Sequence, residues 1–189
     1  MQTAATISPQ RAPSTPHTTP QLKRSPQLSV AVDYRAKDGV SAFSLRIASA
    51  SPSDIVEAER RGEPSVFVKD LADHMAITHA RLGAMLGIPR ATVARKAAAN
   101  ERLDGQSGLA ALGMAKLIGL AQSLVDDSTA PGAPEFDVAK FDVAKWLGKW
   151  LEVPQPALGG KAPADFLDTP TGVQMVARLL GALQSGAYQ

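Results

Sequence analysis

Residues 146–189 read WLGKWLEVPQPALGGKAPADFLDTPTGVQMVARLLGALQSGAYQ, a pattern that predicts two helices joined by a turn rich in proline and glycine. The first helix carries four large apolar side chains at the helical period: Trp146, Leu147, Trp150 and Leu151. The neighbouring glycines Gly159 and Gly160 permit a tight reversal, because glycine accepts positive φ. Asp168 or Thr169 can cap the second helix. The C-terminal part is therefore predicted to be a small helical domain.

Upstream, residues 77–99 read ITHARLGAMLGIPRATVARKAAA, which is the spacing of a helix-turn-helix. Thr78 can cap a first helix over residues 80–86, and Gly87 can form the tight turn after it. The second helix would then begin at Pro89. In this motif the second helix is the one that enters the major groove of DNA, so the pattern predicts a DNA-binding element.

The second helix of this motif has a basic face. Val93 and Ala97 are expected to point inward, with Ala97 filling the space where an apolar anchor is usual and Lys96 stands instead. The candidates for base contacts are Thr92 and Arg95, with Arg90 or Lys96 beside them. The candidates for phosphate contacts are His79, Arg81 and Arg102. The alternative is a helical hairpin whose basic face is only solvated, but the capping threonine, the turn glycine and the basic second helix favour DNA binding.

Residues 1–50 are predicted to be a disordered or poorly ordered extension. Prolines, serines, threonines and glutamines dominate residues 1–27, which contain no acidic residue and almost no large apolar one. Such a segment cannot bury enough surface to offset its ordering entropy. Residues 28–50 alternate partly between apolar and polar side chains, which is typical of strands, but two short strands by themselves would be only marginally stable.

From Ser53 the pattern becomes helical. Ser53 is the expected N-cap of a helix that ends near Gly62, and Pro64 is expected to open the next helix. Residues 109–127 form a further helix, so apolar that it should be buried on more than one side, either between the two halves or in a subunit interface. Residues 128–134 contain the prolines and glycine of a loop.

The chain is therefore predicted to be all-α, with an extension over residues 1–50, a helix-turn-helix domain over residues 51–130 and a C-terminal domain over residues 131–189. No run approaches the length of a bilayer span and no leader is recognisable, so we expect a cytoplasmic protein without membrane contact. The net charge is only +2, but its distribution matters more, because basic residues concentrate in residues 81–102.

Catalytic and metal-binding patterns are not found in the sequence. The chain has no cysteine, which removes disulfides, thiolate catalysis and cysteine-ligated metals. His74 and His79 are five residues apart, rather than at the four-residue spacing that aims two imidazoles at one metal. Residues 158–161, LGGK, lack the earlier glycine and the following serine or threonine of a phosphate-binding loop. We therefore expect a non-enzyme with no metal and no cofactor.

The C-terminal part also contains an ordered set of short motifs: Trp150-Leu151, Gln155-Pro156-Ala157-Leu158-Gly159-Gly160, Ala162-Pro163, Leu167-Asp168-Thr169, Gly172 and Gly186-Ala187-Tyr188. This set resembles the C-terminal domain of the Xre/MbcA/ParS family of antitoxins, and with the upstream region the resemblance covers roughly residues 53–189. It implies a partner toxin of the RES-domain type, an NAD-consuming or ADP-ribosylating enzyme. It further implies that the C-terminal domain covers the entrance to the toxin's NAD site, and that the helix-turn-helix represses the operon's own promoter.

Inhibition by covering a pocket needs a complementary surface rather than chemistry. The candidate toxin contacts are Gly160, Lys161, Arg178 and Tyr188. The predicted helices carry more apolar surface than one subunit is expected to bury, which suggests a homodimer. A homodimer would match a two-fold operator. Two alternatives stay open: a stand-alone transcription regulator whose C-terminal domain binds a ligand or dimerises, and a partner-binding adaptor that has lost DNA binding, as Lys96 would indicate.

Overall fold

The computed structural model of the protein describes residues 32–127 and 141–184, and of Gln184 it describes only the backbone. The helices of this part are α1 (Gly39–Ser49), α2 (Pro52–Arg61), α3 (Val66–Met75), α4 (His79–Met85), α5 (Arg90–Ala98), α6 (Gly105–Asp127), α7 (Val143–Trp150) and α8 (Pro170–Gln184). Short 3-10 turns span Ala36–Asp38, Pro156–Leu158 and Pro163–Phe166. One two-stranded antiparallel ribbon pairs β1 (Glu63–Pro64) with β2 (Arg102–Leu103). The all-α class is confirmed.

Helix α6 is the centre of the molecule and contacts α1, α2, α3, α7 and α8. Small residues allow this close packing: a Cβ at Gly119 would meet the backbone of Ser44 in α1, and one at Gly113 would meet the side chain of Val173 in α8. The prediction of a helix buried on more than one side is therefore confirmed. The helix-turn-helix half and the C-terminal half share one hydrophobic core across this helix.

The sequence predicts no segment as long as a bilayer span, and α6 corrects that expectation. In the part of the chain that the structure describes, α6 alone is long and apolar enough to cross a bilayer by length and composition. However, 61% of its most apolar window is buried inside the protein. Its apolar surface is already used by the core, which is the usual position of such a helix in a globular domain.

Residues 32–50 are also different from the prediction. Residues 39–49 form α1 rather than a strand, and this helix buries Val40, Phe43 and Ile47. Tyr34 lies in the same core, with its ring centroid 4.5 Å from that of Phe67 and 5.5 Å from that of Phe43. The expectation of strands and poor order is wrong for this segment, because its apolar side chains follow the helical period. Residues 1–31, the rest of the predicted extension, lie outside the described residues.

Two helix starts differ from the predicted ones by a few residues. The N-cap of α2 is Ser51 rather than Ser53, since the Ser51 hydroxyl accepts a hydrogen bond from the Asp54 N–H at 3.2 Å. Pro64 does not open a helix but lies in β1, opposite Arg102. Proline donates no N–H to a ladder, and this two-residue strand needs none from it.

Glu63, in β1, is a buried carboxylate with only 1% of its surface exposed. One of its oxygens accepts a hydrogen bond from the Tyr34 N–H at 3.2 Å and lies 4.0 Å from the Arg102 guanidinium. The other oxygen has no hydrogen-bond partner. Burial raises the pKa of Glu63 to about 7, although the Tyr34 N–H and Arg102 both act to lower it.

We expect wild-type stability to fall relative to a Glu63→Gln variant as the pH rises from about 5 to 8. The pKa of Glu63 is about 7 in the fold against an ordinary value of 4.5. The folded state therefore binds the proton more tightly, and this stabilisation is lost as the pH rises through about 7. The shift corresponds to roughly 2–3 kcal/mol over this range.

Urea unfolding of both proteins across that pH range measures the effect. The difference between them is the relevant quantity, because burial lowers the pKa of His74 and thereby changes stability in the opposite sense. Parallel pH profiles for the two proteins would contradict the prediction.

Candidate nucleic-acid and partner-binding surfaces

The helix-turn-helix is present where the sequence predicts it. The Thr78 hydroxyl caps α4 by accepting a hydrogen bond from the Arg81 N–H at 3.1 Å. Gly87 forms the turn with φ of +62°, a conformation that favours glycine. After it, the N–H of buried Ile88 donates to the Gly83 carbonyl at 2.8 Å. The turn is thus fixed to the helix that precedes it, and α5 begins immediately beyond.

Helix α5, the candidate recognition helix, lies only loosely on the rest of the domain. None of its residues is buried. Val93 is half-buried, but Ala97 is exposed, which contradicts the expectation that it fills the inner space. A groove of about 870 Å³ separates α5 from the first turns of α3 and α4, with Val93, Ala94 and Ala97 on its α5 wall. The helix is therefore held by Val93, which packs against the core, and by polar contacts near its C-terminal end.

Lys96 provides one of these attachments. Only 13% of its side chain is exposed. Its ammonium donates to the Arg102 carbonyl at 2.8 Å and to an Asp104 carboxylate oxygen at 2.9 Å, and the latter bond lowers the pKa of Asp104. The expectation that Lys96 faces DNA is corrected. Lys96 takes the place of the usual apolar anchor by lying along the inner side and linking α5 to β2.

The other α5 candidates remain accessible. Arg90 is exposed and Thr92 is half-buried. The Arg95 side chain is 64% exposed, and its only ion pair in the described part of the chain is a 3.5 Å contact with Glu101. Because an exposed pair of this kind is weak, Arg95 can exchange its partner for DNA at little cost.

The three candidates for phosphate contact each have a carboxylate partner. The pairs are His79 with Asp73 at 2.9 Å, Arg81 with Glu152 at 2.6 Å and Arg102 with Asp33 at 2.6 Å. The Arg102 guanidinium also donates to the Gly62 carbonyl, so its role is to tie the N-terminal segment to β2. The partner of Arg81 comes from the C-terminal half, which no local sequence pattern could have shown.

The face of α7 is divided between the core and the surface. Leu147 and Leu151 are buried, as predicted, whereas both tryptophans are only half-buried. The rings of Trp146 and Trp150 stack with centroids 6.1 Å apart, and Phe141 lies 6.0 Å from Trp146. These three rings form an aromatic row that packs against the core and is partly exposed.

The proline- and glycine-rich turn has the predicted geometry. Gly159 and Gly160 have φ of +66° and +79°. An antiparallel bridge between Gln155 and Lys161 closes the turn. Lys161 is exposed, and its ammonium lies 6.0 Å from the centroid of the Phe166 ring, which is a cation–π distance.

Helix α8 packs against the core with one side and exposes the other. Val176 and Leu180 are fully buried. The exposed side, which we call the α8 outer face, consists of Gln174, Met175 and Arg178. Met175 is 40% exposed, so this face presents a large apolar side chain next to a guanidinium. Tyr188, the remaining candidate for toxin contact, lies outside the described residues.

Residues 32–127 and 141–184 contain no group of three or more histidines, aspartates or glutamates that could hold a metal ion. The conspicuous exposed features of this part are the outer face of α5 in the helix-turn-helix half, and the 155–161 turn, the α8 outer face and the aromatic row in the C-terminal half.

Comparison with known proteins finds a recognised domain in each half of the chain. Residues 54–116 match the model described as the antitoxin Xre-like helix-turn-helix domain. Residues 138–186 match the antitoxin Xre/MbcA/ParS C-terminal toxin-binding domain. A protein of Sphingobium sp. (strain YBL2), named Prs ADP-ribosylating antitoxin, is 37% identical over 142 residues. That alignment covers 74% of this chain and 83% of the relative.

Proposed function

This chain belongs to the Xre/MbcA/ParS antitoxin family, and from that premise we propose that it neutralises a RES-domain toxin that consumes NAD or transfers ADP-ribose. Neutralisation occurs by covering the entrance of the toxin's active site. The same chain, as a homodimer, binds the promoter of its own operon through the helix-turn-helix and represses it. The name of the Sphingobium relative supports a partner with ADP-ribosylating chemistry.

One observation carries the proposal for toxin binding. The α8 outer face leaves Met175 exposed beside Arg178, within the range that matches the toxin-binding domain. An apolar side chain next to a guanidinium is the composition of an interface centre. Covering a pocket mouth requires only such a complementary surface, and no catalytic group in the antitoxin.

Co-expression with the toxin encoded beside it tests this function. We expect the antitoxin to restore growth of cells that express the toxin, and the two proteins to purify as one complex. The toxin's hydrolysis of NAD should stop in that complex, since its pocket is covered. Failure to form a complex or to restore growth would instead favour the stand-alone transcription regulator.

A further inference from the structure

A bidentate ion pair joins the helix-turn-helix to the C-terminal half. The Nε and Nη2 atoms of Arg81, in α4, donate to the two carboxylate oxygens of Glu152, each at 2.6 Å. Glu152 follows α7 and lies 71 positions along the chain from Arg81. Hydrogen bonding to Arg81 lowers the pKa of Glu152, and the bond raises that of Arg81. Both groups are therefore charged at neutral pH.

The position of Arg81 is suited to a different anion. The first helix of a helix-turn-helix crosses the DNA backbone, and α4 is that helix. The guanidinium fork binds phosphate with the same two parallel bonds that it makes to a carboxylate. Glu152 occupies the edge of the guanidinium formed by Nε and Nη2, so a phosphate that binds through this same edge must displace Glu152.

Two further acidic residues of the C-terminal half lie near the helix-turn-helix, one acting on Arg81 and one at the turn. The carboxylate of Asp165 also acts electrostatically on Arg81. Asp168 packs against the turn itself, because a Cβ at Gly87 would lie 3.1 Å from the Asp168 Cβ. The Gln106 side chain donates a short hydrogen bond to the Asp168 carbonyl and holds this corner in place. The C-terminal half thus presents negative charge to the edge of the motif where DNA phosphates would approach.

We propose that Glu152 competes with a DNA phosphate for Arg81 and thereby limits the affinity of the helix-turn-helix for DNA. The inference rests on the proposed DNA binding. In this proposal Glu152 contacts no base and changes DNA binding only through its pairing with Arg81. It also places a control of DNA affinity immediately before the 155–161 turn, on the toxin-binding half of the chain.

The test measures binding of the full chain to its own promoter duplex and to a scrambled duplex over a salt series. The variants are Glu152→Gln, Arg81→Ala and the double substitution. The matched control is Glu59→Gln, which removes a carboxylate paired with Lys116 at 3.0 Å. That control changes the net charge equally but lies between α2 and α6, away from the motif.

We expect Glu152→Gln to bind the promoter about threefold to tenfold more tightly at low salt. The logarithm of its binding constant should also fall more steeply with the logarithm of the salt concentration, by the amount that corresponds to about one additional phosphate contact. Glu59→Gln should not show this steeper slope. The double variant should lose the gain, because the freed arginine is gone. Thermal unfolding verifies that each variant is folded; the Arg81 and Glu152 side chains are 43% and 38% exposed, so little stability depends on the pair.

Two results would overturn the proposal while leaving DNA binding intact. One is equal promoter affinity for Glu152→Gln and Glu59→Gln, and the other is a gain that persists in the absence of Arg81. A wild-type chain that binds promoter and scrambled DNA equally would instead overturn the proposed promoter recognition, whereas the competition for Arg81 concerns only a phosphate and would still be decided by the two comparisons above.

Discussion

Replacing Met175 with aspartate and Arg178 with glutamate is expected to abolish neutralisation of the toxin. Both side chains lie on the α8 outer face and are exposed, so the substitutions leave the core unchanged. Loss of two central interface groups costs about 2 kcal/mol or more for each. A new carboxylate buried without a partner adds to that cost. The combined loss is on the order of 1,000-fold in affinity, and we expect it to leave enough free toxin to stop growth.

Growth of toxin-expressing cells and the dissociation constant of the purified complex measure this effect. The control is Val56→Asp with Arg60→Glu on α2, since Val56 is 41% exposed where Met175 is 40%. This control should neutralise normally. If the α8 variant also neutralised normally, the toxin would bind elsewhere on the C-terminal half, and the aromatic row of Phe141, Trp146 and Trp150 would be the next surface to substitute.

Point substitutions are more informative here than removal of the C-terminal helix. Deleting residues 171–189 would take away not only the α8 outer face but also Val176 and Leu180, which are fully buried. Large apolar side chains removed from a core cost several kcal/mol each. A deletion would therefore unfold the C-terminal half, and its loss of neutralisation would not identify the surface responsible.

The helix-turn-helix could be predicted from sequence because its determinants are local. Thr78 caps a helix that begins one residue later, and Gly87 supplies a positive φ that few other residues accept. The Gly159-Gly160 turn follows the same logic. In each case the conformation is determined by the chemistry of the residue at that position, and no distant contact is required.

Helix α1 was missed although its signal is in the sequence. Its buried residues, Val40, Phe43, Ser44 and Ile47, are spaced at i, i+3, i+4 and i+7, which is the helical period. The same stretch also alternates partly between apolar and polar side chains, which is typical of strands. The burial of this helix depends on Gly119 in α6, which lies 75 positions beyond Ser44, and a single sequence does not reveal that contact.

The roles of the charged residues could be predicted least. Lys96 and Arg81 have the identity and spacing of DNA contacts, but both have partners within the chain. For Lys96 the partners are six and eight residues away, across the end of α5. For Arg81 the partner lies in the other half. Sequence periodicity shows which face a residue lies on, but a flexible, charged side chain is positioned by carboxylates that only the tertiary structure brings near.

Replacing Arg90 and Arg95 with alanine is expected to weaken promoter binding about 100-fold, because each well-placed arginine contact with a base contributes roughly 1–3 kcal/mol. Lys96 is left unchanged, since its ammonium holds α5 to β2. Neutralisation should be unaffected, because neither arginine lies in the range that matches the toxin-binding domain. Fluorescence anisotropy with promoter and scrambled duplexes measures the loss.

Because α5 is loosely packed, this test should change DNA binding without changing the stability of the fold. No residue of α5 is buried, so alanine at Arg90 and Arg95 removes no core contact, and alanine favours a helix. The thermal midpoint should therefore stay close to that of the wild type.

Arg60→Ala, which replaces an exposed arginine on α2, controls for the general loss of positive charge. If the double variant lost affinity for scrambled DNA as much as for the promoter, its arginines would contact phosphates alone. Unchanged promoter affinity would show that α5 does not read the operator.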